Sequence, residues 1–111
     1  MKRENRLTSS RDVRRTLSEG RRGSSEVVLC FVRREGERPP RVGVTTTKRF
    51  GGAVERNRAK RLLREAARRL LAELAAGTDV VLMGRPPIRG KSFQEVMEEV
   101  RMSAKSAGAL G

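Results

Sequence analysis

Residues 48–69, KRFGGAVERNRAKRLLREAARR, hold nine Lys or Arg against two acids, Glu55 and Glu65. Guanidinium and ammonium groups at this density are binding groups for anions, and forked arginine donors suit phosphate oxygens. Acid–base or nucleophilic catalysis has far less material. The chain contains no His and one Cys, which excludes a zinc cluster, a Cys-His dyad, a Ser-His-Asp triad and RNA cleavage by histidine. A self-sufficient Mg²⁺-dependent nuclease needs clustered carboxylates, and Glu4, Asp12, Glu19, Glu26, Glu55 and Asp79 show no such spacing. We therefore assign no catalytic residue, no metal ligand and no protein-bound cofactor.

The cations must be positioned by a helix. At 100° per residue, Ala59, Leu62, Leu63, Ala66, Leu70 and Leu74 fall in one arc, a stripe that faces a core. Asn57, Arg61, Arg64 and Arg68 point the opposite way, Arg58, Lys60 and Arg69 lie on the flanks, and Arg56 sits at the stripe's edge. Placing Arg56, Arg58, Lys60 and Arg61 in the opening turns opposes the helix dipole, at ~0.3–1 kcal/mol for each charge in the first turn. A surface shaped for stability alone would carry acids there. With Lys48 and Arg49 just before Gly51-Gly52, these side chains and the free first-turn N–H groups make a site for a row of phosphates. The plain alternative, a solvated basic helix, would place acids at i,i+4 spacing, where they are mostly missing.

Composition points the same way. Twenty-six basic and thirteen acidic residues give a net charge of +13 on 111 residues, with a pI near 11.6. That length predicts one domain with a modest core, and that charge predicts a polyanionic partner. Nucleic acid fits better than a membrane, since Trp and Tyr are absent and the longest apolar run, Val27 to Val32, is six residues. Charged and polar residues dominate the first 26 positions, so no signal peptide is expected and the localisation reads as cytoplasmic. Cys30 sits in an apolar strand pattern and reads as a small buried hydrophobe.

Taken in order, residues 1–8 read as a flexible basic arm. Ser9 and Asp12 form a capping-box pattern before a helix over about 10–19, which Gly20 could close in a left-handed conformation. Residues 21–25 read as a basic loop, with room for a short edge strand nearby. Residues 26–32 read as a strand covered on both sides, and 42–47 as a second, antiparallel to it through a hairpin over 33–41. The central helix is predicted over 53–76 and ended by Gly77, followed by a strand over 79–84 that Pro86-Pro87 terminates. Ser92 and Glu95 form a second capping box, opening a helix whose apolar face is Phe93, Val96, Met97, Val100 and Ala104. Residues 106–111 are expected to fray. The fold class is α+β, a small mixed sheet packed with three helices in the order α-β-β-α-β-α.

The string Lys48-Arg49-Phe50-Gly51-Gly52-Ala53-Val54-Glu55-Arg56-Asn57-Arg58-Ala59-Lys60-Arg61-Leu62-Leu63-Arg64-Glu65 resembles the signature helix, or RNR motif, of the bacterial ribonuclease P protein component. The order Gly-x-Ala-Val-x-Arg-Asn-Arg-x-Lys-Arg fixes residue types that charge alone would leave free. Asn5-Arg6-Leu7, Asp12 and Gly20 also fall where that family's pattern puts them, whereas its frequent aromatic residues on the first helix are here Val13 and Leu17.

The resemblance implies a left-handed βαβ crossover, where general chirality would favour a right-handed one. It also implies a subunit that binds a catalytic RNA and the 5′ leader of precursor tRNA, with Mg²⁺ held mainly by RNA and substrate. Lys48, Arg49, Arg56, Asn57, Arg58, Lys60, Arg61, Arg64 and Arg68 would contact the RNA. Val13, Leu17 and Phe31 would line a leader cleft between the first helix and the sheet, unless they are plain core. The alternative is a non-catalytic RNA-binding protein such as a ribosomal component.

Overall fold

The structure, a computed structural model, describes residues 1–110. Its helices are α1 (Ser10–Glu19), α2 (Ala53–Leu70) and α3 (Phe93–Ser106), and its strands are β1 (Arg21–Ser24), β2 (Val28–Arg34), β3 (Arg41–Thr46) and β4 (Thr78–Gly84). They form one sheet in the order β1-β2-β4-β3, in which β4 runs antiparallel to β2 and parallel to β3. The short edge strand left open by the sequence is thus present as β1, paired to β2 from Arg21↔Val32 to Ser24↔Leu29.

The expected hairpin between residues 26–32 and 42–47 does not form. β4 lies between its two arms, because Thr78 to Leu82 is buried throughout and so takes the sheet's interior position. The connection over 35–40 must then span two strand spacings, about 10 Å. Pro39 and Pro40 suit a wide arch and not a tight turn. That arch crosses the start of β4, where Glu35 N–H donates to the Gly77 carbonyl (2.9 Å) and Gly77 N–H to the Arg38 carbonyl (2.6 Å).

The two sheet faces differ. Val28, Cys30 and Val32 of β2, with Val80 and Leu82 of β4 and Val42 of β3, pack under α2 and α3. α2 contributes Ala59, Leu63, Ala66, Ala67 and Leu70, all buried, and full burial of a Leu contributes about 1.5–3 kcal/mol. Burial also pushes the Cys30 thiol up to about 12, as befits an inert core residue. On the opposite face Leu29, Phe31 and Arg33 are half-buried beside α1. The sequence reading of β2 as covered on both sides therefore holds fully for one face only.

α2 ends earlier than periodicity predicts. A single 3₁₀ turn, Leu71–Glu73, follows Leu70, and Leu74 turns into extended geometry (φ −92°, ψ 137°) with its side chain in the core. Gly77 does not stop the helix. It serves the turn into β4 with φ +79°, where a Cβ would lie 2.2 Å from the Gly36 carbonyl oxygen. Gly20 also acts otherwise than expected, since its φ is −76° and a Cβ there would meet the Thr16 and Val32 carbonyl oxygens at 2.4 and 2.8 Å. Close approach, and not left-handedness, requires it.

Both ends expected to be loose are held. Residues 1–8 contain a 3₁₀ turn, Arg3–Asn5, and Arg6 bridges Val42 in parallel. Leu7 is buried with its N–H donating to the Val42 carbonyl (3.1 Å), and the Asn5 amide donates to the Pro40 carbonyl (2.9 Å). At the other end Ala107 and Ala109 are buried and Arg34 donates to the Gly108 carbonyl (2.8 Å). Gly111 lies outside the described residues.

Candidate nucleic-acid interface

The outer face of α2 is built from its inner one. Because Ala59, Leu63, Ala66 and Leu70 dock on the sheet, Asn57, Arg58, Arg61, Arg64 and Arg68 are carried outward and are exposed. Gly52 caps the helix without a side-chain hydrogen bond, leaving the first-turn amides to solvent or a ligand. Both acids of the helix are already engaged: Glu55 by Arg89 (2.5 Å) and Glu65 by Arg68 (2.5 Å) and Arg69 (3.7 Å). Hydrogen bonds from Arg68, more than any other interaction, hold the Glu65 carboxyl below its usual range. Among the described residues, Lys48, Arg49, Arg58, Lys60, Arg61 and Arg64 have no acidic partner.

The nine residues expected to bind RNA are not equivalent. Arg56 is half-buried, with one guanidinium nitrogen donating to the Lys48 carbonyl (2.7 Å) and its Nε buried without a partner, so it also fixes the turn before α2. Arg68 is tied to Glu65. Lys60 is half-buried on the flank. Arg58, Arg61 and Arg64 remain as free, exposed guanidinium groups.

A groove of about 750 Å³ runs along the open edge of β3. Val42, Gly43, Val44 and Thr45 form its floor, Arg61, Arg64, Glu65 and Arg68 one wall, and Arg6, Leu7, Thr8 and Val13 the other. β3 is an outer strand, and the Val42 carbonyl already faces outward to accept from Leu7. By the two-residue period of a strand, the Val44 N–H and carbonyl face the same way, so the floor offers one backbone donor and one acceptor beside the α2 arginines. Arg6 and Thr8 belong to the segment read as a loose arm. Their part here depends on one backbone bridge that no local pattern announces.

Of the residues expected in a leader cleft, Val13 lines this groove. Leu17 and Phe31 are half-buried on the α1 side of the sheet and do not line it. Beside them lies an ion cluster that fixes α1. Asp79, 2 % exposed, accepts from Arg41 at 2.9 and 2.8 Å and from Arg38 at 2.6 Å, and Arg41 reaches Asp12 on α1 at 3.3 Å. Burial pushes the Asp79 carboxyl up, but the arginine hydrogen bonds outweigh it and the net direction is down. Asp12, one of the residues on which the family resemblance rests, thus has a structural task.

A smaller slot opens on the other flank of α2. Glu55, Arg58, Ala59 and Leu62 face the 88–91 turn across about 130 Å³. Sequence reasoning gave Arg89 and Lys91 no role, although a basic Arg-Gly-Lys turn between Pro87 and the Ser92 cap was there to be seen.

Comparison with known proteins is unambiguous about kinship. A family model described as Ribonuclease P matches residues 1–108. The chain is 38 % identical to the ribonuclease P protein component of Gluconacetobacter diazotrophicus, over 98 % of this chain and 96 % of that protein. It is 35 % identical to that of Shouchella clausii, over 99 % and 91 %. Among solved structures, the RNase P protein of Thermotoga maritima superposes with a TM-score of 0.78 at 27 % identity, covering 96 % of this chain and 98 % of that one. The Staphylococcus aureus RNase P protein superposes at 0.81 with 20 % identity, covering 96 % and 98 %, a likeness of fold.

Proposed function

The chain belongs to the ribonuclease P protein family, a subunit of an RNA-containing tRNA-processing enzyme, and on that premise we propose how its surface serves the holoenzyme. The free arginines of α2 bind phosphates of the catalytic RNA, and the β3 groove with the α1 side of the sheet receives the 5′ leader of precursor tRNA. The observation that carries this reading is that Arg58, Arg61 and Arg64 stand exposed on α2 without an acidic partner, the last two bordering a groove with a backbone floor. The leader would follow the groove past Val13 towards Leu17 and Phe31 on the α1 side of the sheet. The protein works in the cytoplasm.

Catalysis in this reading belongs to the RNA subunit, where Mg²⁺ held by RNA and substrate would supply the activated water. Among the described residues no group of three or more His, Cys, Asp or Glu could hold a metal ion. In this reading the Mg²⁺ is held by RNA and substrate, and the chain's own contribution is cationic. By offsetting RNA self-repulsion it lowers the Mg²⁺ that the RNA needs. The test is cleavage of precursor tRNA over a Mg²⁺ series by protein alone, RNA alone and both. We expect no cleavage by the protein alone and a shift to lower Mg²⁺ when it is added to the RNA. Cleavage by RNA-free protein that an acid-to-Ala substitution abolishes would overturn this.

A further inference from the structure

We propose that the slot between α2 and the 88–91 turn takes one unstacked pyrimidine nucleotide of the RNA partner, base inward and phosphate at the rim. The proposal rests on the RNA-binding reading above and adds a site to it. The slot's volume of about 130 Å³ is far below the ~300–1,000 Å³ of drug-sized pockets. A single six-membered ring matches that space more closely than the two fused rings of a purine. Its inner surface is apolar: buried Ala59 and Ile88 close the bottom, and half-buried Leu62 gives the accessible aliphatic contact for an unpaired base.

The rim sets the chemistry of the rest of the ligand. Arg58, Arg89 and Lys91 bring three positive charges against the single carboxylate of Glu55. A phosphate is the complement of that excess. Arg89 is held in place, since it donates to Glu55 at 2.5 Å and its Cζ lies 5.6 Å from the Phe50 ring centroid. Gly51 makes room for the pair, for a Cβ there would come within 2.9 Å of a Glu55 carboxylate oxygen. The same carboxylate can accept from an exocyclic amine, which cytosine has and uracil lacks. The slot thus prefers cytidine to uridine.

The experiment uses the full-length ¹⁵N-labelled chain, titrated with CMP, UMP, AMP and inorganic phosphate at fixed ionic strength. The readout is the amide signals of Ala59, Gly90 and Lys91, with Val44 of the groove as the internal comparison. We expect CMP to move the slot signals with an apparent Kd several-fold lower than AMP or phosphate, and UMP to fall between. Lys91→Ala should weaken CMP several-fold, and Glu55→Gln should bring CMP and UMP together. Equal responses to all four ligands, responses spread over every basic surface, or none at the slot would overturn the proposal. If the chain still lowers the Mg²⁺ requirement of ribonuclease P RNA while the slot is silent, the slot alone is wrong. A CMP-specific slot in a chain that binds no such RNA would leave the slot standing and remove the functional reading.

Discussion

Arg41 and Arg61 are the same residue type in opposite circumstances. Arg41 has a side chain 19 % exposed and grips Asp79 with two nitrogens and Asp12 with a third, whereas Arg61 is exposed and has no acid beside it. The first set of arginines satisfies a buried charge and fixes α1 and the 35–40 arch to β4. The second set leaves its charge unpaired at the surface. Function in a chain with twenty-six basic residues is therefore found by asking which cations lack a protein partner, not by counting cations.

The strongest way to break this comparison is Arg41→Ala. It leaves Asp79 almost fully buried with Arg38 as its remaining partner and frees Asp12 from the sheet. Removing one member of a buried pair costs ~3–5 kcal/mol, and since Arg38 stays, we expect the loss near the lower figure. Urea unfolding measures it. Arg41→Lys should recover part of the stability, because an ammonium cannot reproduce the fork. If Arg41→Ala unfolds like the wild type while its RNA affinity collapses, the two sets have been assigned the wrong way round.

Acid offers a second handle on the same cluster. Asp79 is held below its ordinary value of 3.8, so it binds a proton less readily folded than unfolded. A carboxylate of that kind contributes stability above the unfolded value, and the contribution is lost as pH falls through the lower folded one. We expect stability to drop below about pH 4, and Asp79→Asn, less stable at neutral pH, to lose less over that interval. Parallel pH profiles for wild type and variant would show that the cluster does not govern acid sensitivity.

How legible each set was in the sequence follows from the range of its interactions. α2's apolar stripe, its outward arginines and the Ser92–Glu95 capping box depend on neighbours three or four residues apart, and each is found in the structure. Strand order is not local. Val27 to Val32, Val42 to Thr47 and Val80 to Met83 are all runs rich in β-branched residues, and nothing within any of them says that β4 separates the other two. The anchoring of residues 1–8 was likewise hidden, because Asn5 meets Pro40 and Leu7 meets Val42 through backbone carbonyls that carry no residue signature. The slot joins Arg58 to Arg89 and Lys91, distant in sequence, and only the packed turn after β4 reveals it.

For the unpaired set the expected effects lie on RNA and not on folding. Arg58→Ala and Arg61→Ala should each weaken RNA binding by about 1 kcal/mol, with stability within about ±0.5 kcal/mol. The salt dependence should soften by about 0.7–0.9 in the slope of log affinity against log salt for each phosphate that is no longer neutralised. Filter binding over a salt series, beside thermal unfolding, separates the two effects. A variant that loses several kcal/mol of stability and keeps its salt slope has a structural arginine, and the comparison would then fail at that residue.

The smallest expected effect concerns the bases of the leader. Stacking of an unpaired base on an aromatic side chain is worth ~1–3 kcal/mol, yet this chain has three Phe and neither Tyr nor Trp. Phe50 is buried, and Phe93 lies under the Arg69 guanidinium, 4.8 Å from its ring centroid. Phe31 remains, half-buried on the α1 side of the sheet and outside the lining of the β3 groove, whose wall at that end is the aliphatic Val13. Leader binding should accordingly rest on phosphates and aliphatic packing, with strong salt dependence and only a few-fold spread among leaders of different sequence. Holoenzyme affinity for precursor tRNAs with varied leaders, relative to mature tRNA, over a salt series for wild type and Phe31→Ala, measures this. A large preference among leaders that vanishes in Phe31→Ala would show one aromatic dominating recognition, and the leader would then have to cross the sheet face beside α1 and not follow the edge of β3.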